Sequence, residues 1–126
     1  MLFQEEKTKI IIGCFYDVYN TLGFGFLEKV YENSLLIELK RTGFNCLAQA
    51  PVNVFYKDEI VGSYFADILI DNEIIVEVKA GSGEILTAHE KQLSNYLKAT
   101  DFELGFVFHF GEKPTFKRVI FNNNYK

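Results

Sequence analysis

Asp67, Glu77 and Lys79 interrupt two stretches that are otherwise almost wholly apolar, 64–70 (YFADILI) and 74–79 (IIVEVK). Continuous apolar runs mark strands buried on both faces. A charge placed there loses several kcal/mol of solvation unless it is paired or binds an ion. Side chains alternate along a strand, so Glu77 and Lys79 share a face. Whether Asp67 joins them depends on the turn. A two-residue loop at Asp71-Asn72 sets Asp67 opposite Val76 with its side chain on the wrong face, whereas a three-residue loop, 71–73, pairs Ile70 with Ile74 and sets Asp67 opposite Glu77. The three-residue loop is the expectation.

Two carboxylates side by side can hold a hard divalent cation such as Mg²⁺, which keeps several of its waters. Such an ion lowers the pKa of a bound water and neutralises charge on a phosphodiester during in-line attack. A lysine one pleat away can orient or deprotonate that water, or stabilise the developing charge. The same three residues could instead form a buried Asp–Lys–Glu ion-pair cluster with no ligand, since structural ion networks imitate sites. The residues alone leave both open. Glycosidase chemistry is set aside: directly opposed strand residues lie closer than the roughly 5 to 9 Å it needs, and the lysine has no role in it.

The elements that must position these residues follow from periodicity. Ile10, Ile11, Cys14, Phe15, Val18 and Leu22 recur at helical spacing over 7–22, and the Gly23–Gly25 segment stops that helix. A second helix is expected over 27–41, with Leu27, Val30, Tyr31, Leu35 and Leu39 inward. The period then changes to strands over 52–56, 60–70 and 74–79, with turns at Lys57-Asp58 and 71–73. A third helix should begin at Thr87, as N-cap, with Glu90 at the third position. Strands follow over 104–110 and 116–121; Phe106, Phe108 and Phe110 share a face and read as core rather than as a base-stacking platform. The order ααβββαββ describes an α/β (α+β layered) domain, and the absence of repeats or a Pro-rich linker makes 1–126 one unit.

The chain has 126 residues, 13 of them Phe, and a net charge of −4. That charge argues against a protein that coats nucleic acid by charge alone, and confines any nucleic-acid surface to local cations such as Lys79, Lys91, Lys98, Lys117 and Arg118. No apolar run is long enough to span a membrane, and acidic residues stand where a signal peptide would be basic. A soluble, cytoplasmic protein is the expectation. Cys14 and Cys46 form no zinc or disulfide pattern, and Cys14 reads as a buried free thiol. Gly81-Ser82-Gly83 lacks the GK[ST] of a phosphate loop and reads as a turn.

Asp67, nine residues, then Glu77-Val78-Lys79 resembles the D…(D/E)xK signature of the PD-(D/E)XK nuclease superfamily. Gly25-Phe26-Leu27-Glu28-Lys29-Val30-Tyr31 is similar to the pattern that names the GxxExxY proteins, a branch of that superfamily. Gln49-Ala50-Pro51, 75–80, 89–98, 105–111 and Lys117-Arg118-Val119 extend the likeness over about residues 10–121. One departure is His109-Phe110-Gly111, where the pattern has Asn-Phe-Gly.

The resemblance implies a restriction-endonuclease-like core, a mixed sheet flanked by helices, and Mg²⁺- or Mn²⁺-dependent hydrolysis of DNA phosphodiester bonds in the processing of DNA ends, branched structures or single strands. It implies Asp67 and Glu77 as metal ligands with the Val78 carbonyl, and Lys79 as the catalytic lysine. It also implies Gln92 as a catalytic residue orienting water or phosphate, with Tyr96 and Lys91 contacting substrate. Glu28 would be a further acidic ligand; its simpler role is a carboxylate at the positive end of a helix. A homodimer is expected because so small a domain has limited surface to grip a duplex. The alternative is a catalytically inactive nuclease fold serving as a binding or assembly module.

Overall fold

The computed structural model describes residues 5–126. The first apolar helical pattern forms α1 (Glu5–Leu22), which buries Ile11, Cys14, Phe15 and Val18. It ends at Gly23, whose φ of 69° suits a residue without Cβ and whose N–H returns to the Tyr19 carbonyl at 2.7 Å. The second helix, α2, runs Glu28–Arg41.

The roll of α2 differs from the expectation. Its buried set is Tyr31, Glu32, Leu35 and Leu39, while Leu27 is 80% exposed and Val30 also faces out. Tyr31 sets that roll. Its hydroxyl donates to the Gly23 carbonyl at 2.5 Å and accepts from the Phe26 N–H at 3.2 Å, and its ring stacks on Phe110. The tyrosine of the Gly25–Tyr31 motif therefore ties the α1–α2 loop to the core.

The remaining elements are β1 (Cys46–Tyr56), β2 (Glu59–Ile70), β3 (Ile74–Ala80), α3 (Thr87–Lys98), β4 (Leu104–Phe110) and β5 (Pro114–Ile120). They give the expected order, closed by a 3₁₀ turn over Asn123–Tyr125. The five strands lie in sequence order in one sheet, antiparallel except for the parallel β3–β4 pair that α3 connects. The Lys57-Asp58 turn links Tyr56 to Glu59 through two left-handed residues, φ 49° and 66°, the geometry that matches strand twist.

Helices cover both faces. On one, α1 and α2 bury Phe15, Tyr31 and Leu35 against Ile68, Val76, Phe106, Phe108 and Phe110, so the alternating phenylalanines are core as expected. On the other, α3 packs Leu93, Tyr96 and Leu97 against Ala66, Leu69, Ile75 and Val107. Gly105 makes the second packing possible: a Cβ there would stand 2.7 Å from Leu93 Cδ1 and 3.1 Å from the Ile75 carbonyl oxygen. No helix among the described residues is long and apolar enough to cross a membrane. Cys14 is buried with a free thiol.

β3 is buried on both faces from Ile74 to Val78, as its apolar run implies. β2 is buried in this way only near its C-terminal end. Tyr64 and Phe65 are exposed because β2 pairs with β3 only over Ile68–Ile70 and otherwise runs out with β1 as a two-stranded arm.

Candidate metal centre

The β2–β3 turn has the three-residue form. Ile70 pairs with Ile74, Leu69 with Ile75 and Ile68 with Val76. Asp71 and Asn72 are left-handed, and the Glu73 N–H closes the turn on the Ile70 carbonyl at 2.9 Å. The next positions along this register are Asp67 and Glu77, and here the strands part. In place of ladder bonds, the Asp67 N–H donates to Glu77 Oε2 at 2.9 Å, and the Val78 N–H donates to Asp67 Oδ2 at 2.7 Å. Each carboxylate is held by backbone through one oxygen. Among the described residues no donor is bonded to the other oxygen of either.

The fork continues into β1. Gln49 lies between the Ala48–Ile68 and Ala50–Ala66 pairs, across from Asp67, with φ 52°. A left-handed glutamine in a strand is uncommon. Alternation breaks at the same place: Ala66 and Leu69 both pack under α3, whereas Ile68 packs on the opposite face. The Gln49 amide donates to Glu32 Oε1 at 2.8 Å, and Lys29 approaches the same oxygen at 3.4 Å, which gives the buried Glu32 both a donor and a cation.

Burial, and then the neighbouring Asp67 carboxylate, push the Glu77 carboxyl up to about 8, with Lys79 pulling the other way. Glu77 is 5% exposed. An ion-pair cluster would pair Lys79 directly with a carboxylate. Among the described residues the ion pairs are Lys7 with Asp71 and Glu73, and Lys29 with Glu32; Lys79 is in none of them. Lys79 instead lies beside His109 across the β3–β4 ladder. His109, also buried, donates from Nε2 to the Gly81 carbonyl at 2.9 Å and so anchors the turn after Lys79. Gly111 lacks the Cβ that would stand 2.8 Å from that ring.

α3 brings Gln92 and Tyr96 to this face. The Gln92 amide donates to the Tyr96 hydroxyl at 2.8 Å, leaving the amide oxygen as an acceptor. Burial raises the Tyr96 pKa, and the Glu77 and Asp67 charges add to that rise, so its phenol lies within their field. Lys91 is exposed one residue before Gln92. The start of α3 differs from the expectation. Leu86, not Thr87, is the N-cap, and His89 rather than Glu90 reaches back, with Nδ1 accepting the Leu86 N–H at 3.2 Å.

Glu28 is exposed at the start of α2 and lines a cleft of about 390 Å³ with Lys79, Ser82, His89 and His109. It is not gathered with Asp67 and Glu77. Among the described residues no three His, Cys, Asp or Glu side chains stand close enough to hold an ion together. The donor set at the fork is therefore two carboxylates beside Val78. Hard oxygen donors in that number suit an ion that keeps most of its water shell, as Mg²⁺ does. A cation would also relieve the repulsion that raises Glu77. The residues present fit the group.

Sequence reasoning missed that Gln49 lies across from Asp67 and bonds Glu32. The available signal was Glu32 one turn beyond Glu28, a like-charge pair that needs a nearby donor.

A family model described as the PD-(D/E)XK nuclease superfamily matches residues 5–119. No curated protein matches the chain. Among solved structures, the crystal structure of SSO0001 is similar, with a TM-score of 0.57 at 18% identity. The match covers 95% of this chain and 61% of that one, so the chain spans about three-fifths of its length. At that identity the likeness is one of fold.

Proposed function

The chain belongs to the PD-(D/E)XK nuclease superfamily, and from that membership we propose that it is a metal-dependent nuclease hydrolysing phosphodiester bonds of DNA. The observation that carries the reading is the pair formed by the buried Glu77 and the half-buried Asp67, in which each carboxylate is fixed by a backbone N–H and, among the described residues, neither is in an ion pair with a lysine. A Mg²⁺ or Mn²⁺ bound here would acidify a water and offset phosphate charge.

Asp67 and Glu77 would hold the ion, with the Val78 carbonyl as a further donor. Lys79 orients or deprotonates the attacking water, or stabilises the charge that develops on the phosphate. Gln92, steadied by Tyr96, positions water or phosphate through its amide oxygen, and Tyr96 and Lys91 contact the DNA. Glu28, on the far rim beside Lys79, acts through water. In this reading the chain is a GxxExxY protein in which Tyr31 is structural and Glu28 chemical. It works in the cytoplasm, and a homodimer would supply the surface a duplex needs.

The test is cleavage of end-labelled single-stranded, duplex and branched DNA in Mn²⁺ by wild type and Lys79→Ala. Metal-dependent cleavage by wild type, falling at least about a hundredfold in the variant, supports the reading. Cleavage that persists in chelator, or that Lys79→Ala leaves unchanged, contradicts it.

A further inference from the structure

The β1–β2 arm and α3 enclose a groove of about 790 Å³ on the carboxylate side of the sheet. Phe55 and Tyr64 wall it from the arm; Lys91, Asn95, Tyr96 and Lys98 wall it from the helix. We propose that this groove binds single-stranded DNA and leads it to the Asp67–Glu77 pair; the proposal rests on the nuclease reading and deepens it by naming the substrate class.

Three observations converge on that occupant. Phe55 and Tyr64 are large rings left 59% and 46% exposed. Tyr64 is held rather than free, with its ring 5.4 Å from that of Tyr96, so a stacking surface is prepared before any base arrives. The charges complement a phosphodiester strand: Lys91 and Lys98 are exposed along one wall, and among the described residues no carboxylate lines the groove. In a chain of net charge −4, a local site with cations and no acids is where a polyanion is tolerated. The groove also borders the candidate centre: Tyr96, which lines it, packs with Ala66, the neighbour of Asp67, and with Ile75, which shares a strand face with Glu77. Its volume falls in the ~300–1,000 Å³ range of clefts that take small ligands, so it suits a nucleotide or two of unpaired strand. A paired base has no free ring face to offer Tyr64.

The experiment is fluorescence anisotropy in chelator with oligo(dT) of about a dozen nucleotides and a duplex of equal length. Wild type is compared with Tyr64→Ala, Tyr64→Phe and a Lys91→Ala/Lys98→Ala double variant. Wild type should prefer the single strand. Tyr64→Ala should weaken that binding about tenfold, the loss of one stacked base, and Tyr64→Phe should restore it. The double lysine variant should weaken binding and flatten its salt dependence. A wild type that prefers duplex, or Tyr64→Ala binding oligo(dT) as tightly as wild type, overturns the proposal. Mn²⁺ titration of each variant reports separately on the carboxylates. Metal bound normally with no effect of Tyr64→Ala defeats the groove and leaves the nuclease reading intact. Wild type that binds no metal defeats the nuclease reading whatever the groove does.

Discussion

Replacing Glu77 by Gln should make the metal-free protein more stable at alkaline pH and remove a pH dependence that wild type shows. Glu77 is raised from 4.5 to about 8 in the folded protein by burial and by Asp67. A raised folded pKa means that the native state holds a proton the unfolded state has released. The stabilisation is complete below about 4.5 and is lost as pH rises through about 8. Within that window each pH unit removes about 1.4 kcal/mol. Other shifted groups fall elsewhere. His89 is lowered from 6.5 and Asp71 from 3.8, and Cys14 and Cys46 are raised from 9.0. From about pH 6.5 to 8 Glu77 is therefore the dominant titrating group, and wild type should lose roughly 1–2 kcal/mol across it. The Gln side-chain oxygen still accepts the Asp67 N–H without a charge, so Glu77→Gln should be flat over the same range. Urea unfolding in chelator at intervals across that range measures both slopes. A wild-type stability that is level or rising with pH, or a variant with the same slope as wild type, refutes the argument.

Three further outcomes follow from the same structure. Mn²⁺ binding must displace the proton that Glu77 holds, so its affinity should rise up to about tenfold per unit between about pH 6 and 8, measured by calorimetry in buffers of differing ionisation enthalpy. Tyr31→Phe leaves the Gly23 carbonyl and Phe26 N–H without their partner and should cost about 1–3 kcal/mol in urea unfolding. Its Mn²⁺ affinity should be unchanged, since Tyr31 holds a loop and not the ion. Gly105→Ala places a methyl 2.7 Å from Leu93 Cδ1 and should destabilise by about 1–3 kcal/mol, visible as a lower unfolding midpoint.

Much of the centre was legible because burial constrains parity. β3 is buried throughout from Ile74 to Val78, so a slip of one residue would have moved its whole apolar set, and only the three-residue turn brings Asp67 to Glu77. What parity could not convey is that the ladder ends there. The Gln49 kink depends on a left-handed glutamine, a residue type that does not announce positive φ. The roll of α2 is not legible in the sequence: Leu27 and Val30 are apolar at helical spacing, yet the long-range stack of Tyr31 on Phe110 decides which face turns inward. Spacing points to Thr87 as the cap of α3, whereas the ring of His89 reaches the Leu86 N–H. Tyr64 and Phe65 looked like core because an apolar strand does not reveal where its neighbour stops. The His109 departure has a structural answer: the ring, buried beside Lys79, bonds the Gly81 carbonyl.

The central claim is that Asp67 and Glu77 together hold a divalent cation. Its most direct test is calorimetric titration of Mn²⁺ into metal-free wild type and Asp67→Asn at about pH 8, where Glu77 is free to ionise. The account predicts saturable binding by wild type and its loss in Asp67→Asn, with the variant still folded. Equal binding by both proteins, or none by wild type, would contradict it.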